Sequence, residues 1–364
     1  MRDIKLDIAK GIGICFMVLG HTTSPFVNFI YLFHVALFFI ISGYLFADRT
    51  YLSLSSLFKH LLNIAKRLWL PFVIFVSALI LLHNCFVDIN FLTNNELFLQ
   101  GSNGNSWGLK NYYSLEQVFS KLLKAFSFSN SEQLAGALWF LKALFLVSVF
   151  SALIRYTKNL LFKSDNKFYV YEAIVYSVIL LLAYWGYINQ SSCCRIFSTL
   201  FLFYIGILIS RYFKNLILNM RLFLFSFIML LIFCYFNVKV DVGTSEHSSF
   251  LLFLLASIFG FIFVLNLSFL FSKREFVKNI FSYIGQNTLV ILCFHFIAFK
   301  FVTLFQIYYY DLPMYRLASF PTYDNGYYWI VYFMAGVVIP LLLSAFWYKL
   351  KFYLISFFSG KIKT

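Results

Sequence analysis

Lys10 and His21 stand eleven residues apart in the apolar stretch DIAKGIGICFMVLGH. On one helix that spacing is close to three turns, so the two side chains share a face and lie about 16 Å apart along the axis. A cation near the membrane edge with an imidazole deeper in the same stripe forms a path for an anionic cofactor that leads to a base. Ionisable groups inside a span are costly, and each is a functional candidate by default. Depth singles out two more histidines. Counted along the expected spans, His21 and His295 lie about 20 Å from the inner edge, and His34 about 9 Å from the outer edge. Three imidazoles at one level, where buried polar groups need partners, point to a shared polar site.

Charged neighbours extend the pattern. Asp7 precedes Lys10 by three residues and can pair with it on one helical face, either orienting the lysine or anchoring the helix. Lys59, Lys66 and Arg67 form a basic mouth in KHLLNIAKRLWLPF, which fits generic loop charge or a phosphate-binding role. Pro71 just beyond it is expected to kink the following span. Lys142 in ALWFLKALF either snorkels outward or faces the bundle interior. Ser42 and Gly43 are small residues suited to close helix packing, and Gln286 and Asn287 can hydrogen-bond across helices.

The elements that must position these groups follow from composition. The chain has 364 residues, 62% hydrophobic and 12% charged, with 50 Phe and 25 Tyr, and a mean hydropathy of +0.82. A soluble domain carries far more charge, and no alternating pattern of a transmembrane barrel is present. Windows of about 20 apolar residues predict an all-α, polytopic membrane helical bundle of about ten spans, near 6–24, 28–47, 68–87, 135–154, 169–187, 195–210, 222–236, 249–271, 281–303 and 328–348. The first span is expected to be retained, because no small-residue cleavage site follows it. Lys and Arg cluster at Arg2 to Lys10, Arg49 to Arg67, Arg155 to Lys167, Arg211 to Arg221, Lys273 to Lys278 and from Lys349 on. The positive-inside rule therefore puts both termini in the cytoplasm and makes the net charge of +15 a topological signal, not a nucleic-acid footprint. The long outer loop at 88–134 carries the turn-rich GSNGNSWGLKN, and its later part, SLEQVFSKLLKAF, has the helical apolar spacing of a segment lying on the membrane surface. The six cysteines show no CxxC spacing, and no metal site is expected. The whole of 1–364 reads as a single membrane domain.

DIAKGIGICFMVLGH followed by FHVALFFIISGYLF resembles the opening of the acyltransferase 3 family, multi-span enzymes that O-acylate cell-surface sugars. KRLWLPF, ALWFLKALF and IGQNTLVILCFH continue the likeness in order along the chain. The family's basic residue, ten-residue spacer and histidine match Lys10 and His21, and its histidines in the second and a late span match His34 and His295. Ala36 after FHV and Lys142 depart from the family pattern without removing a polar group. The chain looks like the stand-alone type, similar to fucose O-acetylase-like and enterobacterial common antigen acetyltransferases.

The resemblance implies acetyl-CoA as acyl donor and a surface polysaccharide or lipid-linked oligosaccharide as acceptor, in a bacterial cytoplasmic membrane. Lys10, with Asp7 beside it, Lys66 and Arg67 would receive the nucleotide phosphates. His21 would be general base for a sugar hydroxyl attacking the thioester, and His34 or His295 would orient it or bind the oxyanion. An acetyl-histidine intermediate and a Cys293 acyl carrier are further routes. The rival class is a flippase or transporter of a lipid-linked sugar or small solute, which would favour broken helices at the midplane and repeat symmetry.

Overall fold

A long run of Leu, Ile, Phe and Val can satisfy its backbone in hydrocarbon only as a helix or a closed barrel, and here such runs are helical. The computed structural model describes residues 3–47, 51, 53–99, 110–162, 165–213, 219–323 and 326–358. The turn-rich GSNGNSWGL at 101–109 lies outside these residues, as do Arg2, Arg49, Lys163, Lys214, Lys361 and Lys363. Among the described residues, eight helical segments are long and apolar enough to cross a membrane: Val27–Phe46, Leu54–Leu81, Gln133–Leu161, Val170–Ile188, Cys194–Phe213, Phe250–Ser272, Thr288–Tyr309 and Gly326–Lys351. Two shorter helices, α1 (Ile4–Gly20) and α11 (Met220–Tyr235), occupy the remaining places in the expected ten. The fold is an all-α polytopic bundle.

Helix α1 is the hub. It packs against α2 (Val27–Tyr31), α3 (His34–Phe46), α12 (Phe250–Ser272), α13 (Glu275–Gln286), α14 (Thr288–Tyr309) and α15 (Trp329–Phe358). Its residues divide between two apolar cores. Leu6, Ile8, Ala9 and Ile12 join the cluster built on α3, α12 and α10 (Cys194–Leu208), whereas Ile14, Met17 and Val18 join the one built on α14 and α5 (Leu70–Leu81).

Two glycine pairs bring distant helices into backbone contact. A Cβ on Gly11 would collide with the Phe281 carbonyl, and one on Gly285 with the Asp7 carbonyl, so α1 and α13 cross with nothing between their backbones. Gly43 of α3 and Gly206 of α10 form the second crossing, facing the carbonyls of Phe203 and Ile40. This is the close packing expected of Gly43.

Three elements differ from the sequence reading. The expected span 281–303 is broken at Asn287, which caps both α13 and α14, and the crossing helix is 288–309. Asn287 accepts from the Ser344 hydroxyl of α15 at 2.7 Å and donates to the Tyr283 carbonyl at 2.9 Å, so the break is held by side-chain hydrogen bonds. Ahead of Pro71, the helix that begins as α4 (Leu54–Ile64) widens into a π turn at Ala65–Trp69 and continues as α5. Proline lacks an N–H and crowds the carbonyl four residues back, and the wider turn accommodates both effects. Helix α7 (Leu115–Ala125) does not lie across an end of the bundle; it runs beside α5. Tyr113 is paired with Asn84 past the C-terminal end of α5, while the Trp69 indole donates to the Phe126 carbonyl at 2.9 Å near its start. Leu115, Phe119, Leu123 and Phe126 stay exposed along one face, an apolar stripe that suits lipid.

A two-stranded antiparallel hairpin, β1 (Val240–Asp241) with β2 (Glu246–His247), joins α11 to α12. It stands at the end of the bundle where α1 finishes, away from Lys10, Arg67 and Gln286.

Candidate active site

Along the seam between the two cores lies a cavity of about 870 Å³. Lys10, Arg67 and Gln286 line one end, here termed the basic end. His21 and His34 line it further along, and Tyr31, Asp241 and Thr244 line it toward the hairpin. Ile14, Met17 and Phe140 supply apolar wall between the polar groups. Lys10 and His21 thus face one chamber, as three turns of a single helix require.

Each histidine has a distinct setting. His34 opens α3 directly after a break at Phe33, whose φ of −151° interrupts the helix. The His34 Nδ1–H donates to the Ile30 carbonyl at 3.0 Å and bridges that break. In the neutral ring Nε2 is then an acceptor. His295 on α14 is fully buried; its Nδ1 faces the carbonyls of Ile291 and Leu292, both at 3.0 Å, and its Nε2 has no hydrogen-bond partner among the described residues. His21 caps α1, and its ring stacks on His295 with centroids 5.4 Å apart and meets Phe296 edge-on at 5.0 Å. His295 does not line the cavity; it stands behind His21.

Of the expected cofactor-side residues, Lys10 and Arg67 reach the cavity and Lys66 does not. Neighbours on one helix point in different directions, and of the two adjacent cations in the π turn only Arg67 is turned to the cavity. Asp7 is buried behind Lys10 and pairs with it at 3.8 Å. Lys142 is exposed on α8 (Trp139–Leu161), on the outside of the bundle. Cys293 is buried and is not among the cavity-lining residues.

Sequence reasoning passed over several polar groups. Lys300 on α14 is buried, and its ammonium donates to the carbonyls of Leu317 at 2.8 Å and Ser319 at 3.0 Å. Phe320, next in the chain, packs on Phe296 at 4.6 Å, and Phe296 touches both His21 and His295. An intramembrane lysine is itself a signal; the partner carbonyls are not visible in sequence. His83, on α6 (His83–Asp88), presents Nδ1 to Glu132 at 2.8 Å and Nε2 to the Asn111 carbonyl at 3.1 Å. Both ring nitrogens thus face an oxygen, one from a side chain and one from the backbone. Tyr113 stacks on it at 3.5 Å and donates to Glu132, and burial beside that carboxylate raises the phenol above its ordinary value. This clasp ties the loop around 111–113 to Glu132 at the start of the 133–161 span.

Arg155 and Lys158, expected as loop charges, are buried. Together with Arg211 they converge on Glu172 of α9 (Asp165–Ile188), with Arg155 Nε at 3.0 Å and Lys158 Nζ at 3.5 Å. None of the four lines the cavity, so this network joins helices and stands apart from the histidines.

A polytopic helical bundle enclosing a chamber with a basic end and histidines along its wall defines a membrane protein with a buried polar site. Residues 3–358 match the family model Acyl_transf_3, an acyltransferase domain, and the chain belongs to that family: it is a multi-pass membrane acyltransferase. No curated protein and no solved structure matches it.

Proposed function

We propose that this protein transfers an acetyl group from acetyl-CoA to a hydroxyl of a cell-surface or lipid-linked glycan, in a bacterial cytoplasmic membrane with its basic end toward the cytoplasm. The observation that carries this reading is the single cavity that has Lys10 and Arg67 at one end and His21 and His34 further along. Guanidinium and ammonium groups suit the nucleotide phosphates of the donor. An extended pantetheine arm, on the order of 15–20 Å, matches the rise from Lys10 to His21. Lys66, exposed outside the cavity beside Arg67, adds positive potential at the entrance, and Asp7 holds Lys10.

In this reading the acceptor hydroxyl enters from the hairpin end. Its oxygen bonds to the acetyl carbonyl carbon and the thioester C–S bond breaks. The hydroxyl proton passes to His21 and from there to the leaving CoA thiolate, which balances the step. His34 orients the acceptor, its Nε2 accepting a hydrogen bond while Nδ1 is held by Ile30. His295 backs His21 and keeps its ring in place by stacking. With Nδ1–H spent on backbone carbonyls, neutral His34 and His295 have no N–H for an oxyanion, which favours orienting roles for both.

The test uses purified protein in liposomes, with acetyl-labelled acetyl-CoA on the side of the basic end and glycan on the other. Label on the glycan is the expected result, and His21→Ala should lower the rate by about 10²–10⁴-fold. Passage of unmodified glycan across the bilayer without label transfer would overturn the reading and identify a carrier.

A further inference from the structure

A second cavity, of about 710 Å³, lies between the α9–α10 turn and the hairpin. Its lining differs in kind from that of the first. Tyr187, Gln190, Ser192, Arg195 and Glu246 face it, and Thr244 lines both cavities. Arg195 holds its guanidinium over the Trp139 ring at 5.2 Å, and Trp139 is itself a wall of the histidine chamber. The Arg195 Nε is buried with no hydrogen-bond partner, and Arg195 forms no ion pair among the described residues. Asp241 braces its own turn, its Oδ1 accepting the Gly243 and Thr244 N–H groups at 2.7 and 3.2 Å. Hydroxyl and amide groups around an aromatic wall suit a polyhydroxylated ligand, and an unpaired guanidinium suits a carboxylate or phosphate.

We infer that this second cavity is a binding site for an acidic sugar unit of the acceptor, with Arg195 as its anion contact, next to the unit that enters the histidine chamber. The shared Thr244 and the Arg195–Trp139 stack join the two chambers. The inference rests on the glycan-acceptor reading above, but its test requires no acyl transfer. Glu246, exposed on the same wall, repels an anionic ligand and sharpens the prediction.

The experiment measures binding of three probes to the full chain in phosphatidylcholine nanodiscs without acyl donor: a hexuronate-containing oligosaccharide, its carboxyl-reduced neutral counterpart, and a glycosyl phosphate. At least one acidic probe should bind about tenfold or more tightly than the neutral one, and which one identifies the source of the anion. Arg195→Gln should abolish that preference, and Arg195→Lys should retain part of it. Glu246→Gln should tighten acidic-probe binding by about two- to threefold, an opposite effect that no folding defect produces. Equal binding of acidic and neutral probes, or an acidic preference that survives Arg195→Gln, overturns the inference. Failure of acetyl transfer with an intact acidic preference would remove the enzymatic reading and leave this site standing.

Discussion

His21 and His295 stack with ring centroids 5.4 Å apart and planes inclined by 25°, although they come from opposite ends of the chain. The contact follows from backbone packing. The Gly11–Gly285 crossing holds α13 against α1, and the break at Asn287 redirects the chain into α14 so that His295 rises beside the last turn of α1.

His295→Phe keeps an aromatic ring in this stack and removes both nitrogens. If His295 acts only by packing, the variant retains its activity. His295 holds the His21 ring by stacking and does not line the cavity, so kcat for acetyl transfer should fall by less than about tenfold with KM for acetyl-CoA nearly unchanged. Steady-state kinetics on the purified variant provide the check.

Gly285→Ala should be poorly tolerated, because the new methyl meets the Asp7 backbone carbonyl and only helix displacement relieves the clash. A loss of about 1–3 kcal/mol is expected. Gly136→Ala is the control: its Cβ would meet the Phe320 ring at 3.5 Å, ordinary contact distance. Thermal unfolding of the two solubilised variants should separate them, with only the first shifted down.

Lys300→Met removes the donor to the Leu317 and Ser319 carbonyls and leaves them buried without it. The expected destabilisation is about 1–3 kcal/mol, with loosening of Phe320 against Phe296. Faster amide exchange across 314–320, compared with the unaltered chain, is the readout.

His247, in the hairpin, is held down to about 4 by burial, against an ordinary value of 6.5. The unfolded ring therefore binds more protons between these values. Hairpin docking should be fully stable above about pH 6.5 and weaken as pH falls toward 4. Amide exchange over 240–247 at pH 7.5 and pH 5 tests this, and His247→Asn should flatten the difference.

The fold class was legible because hydrocarbon leaves the backbone few choices, and runs of apolar residues announce where the helices are. The Lys10–His21 relationship was legible for a similar reason: both lie on one stretch, and helical period alone puts them on one face. Adjacent cations show where this stops. Lys66 and Arg67 look equivalent in sequence, yet only Arg67 lines the cavity. Lys142 and Lys300 are both lone lysines within apolar runs, yet one is exposed and the other is clamped by two carbonyls from a loop. The convergence of His21 with His295, the His83–Glu132 clasp and the unpaired Arg195 above Trp139 join residues far apart in the chain. Helical geometry acts over a few turns and can be read locally. Which faces meet is decided by close backbone approaches such as Gly11–Gly285 and by breaks such as Asn287, and only the packed tertiary structure brings those into register.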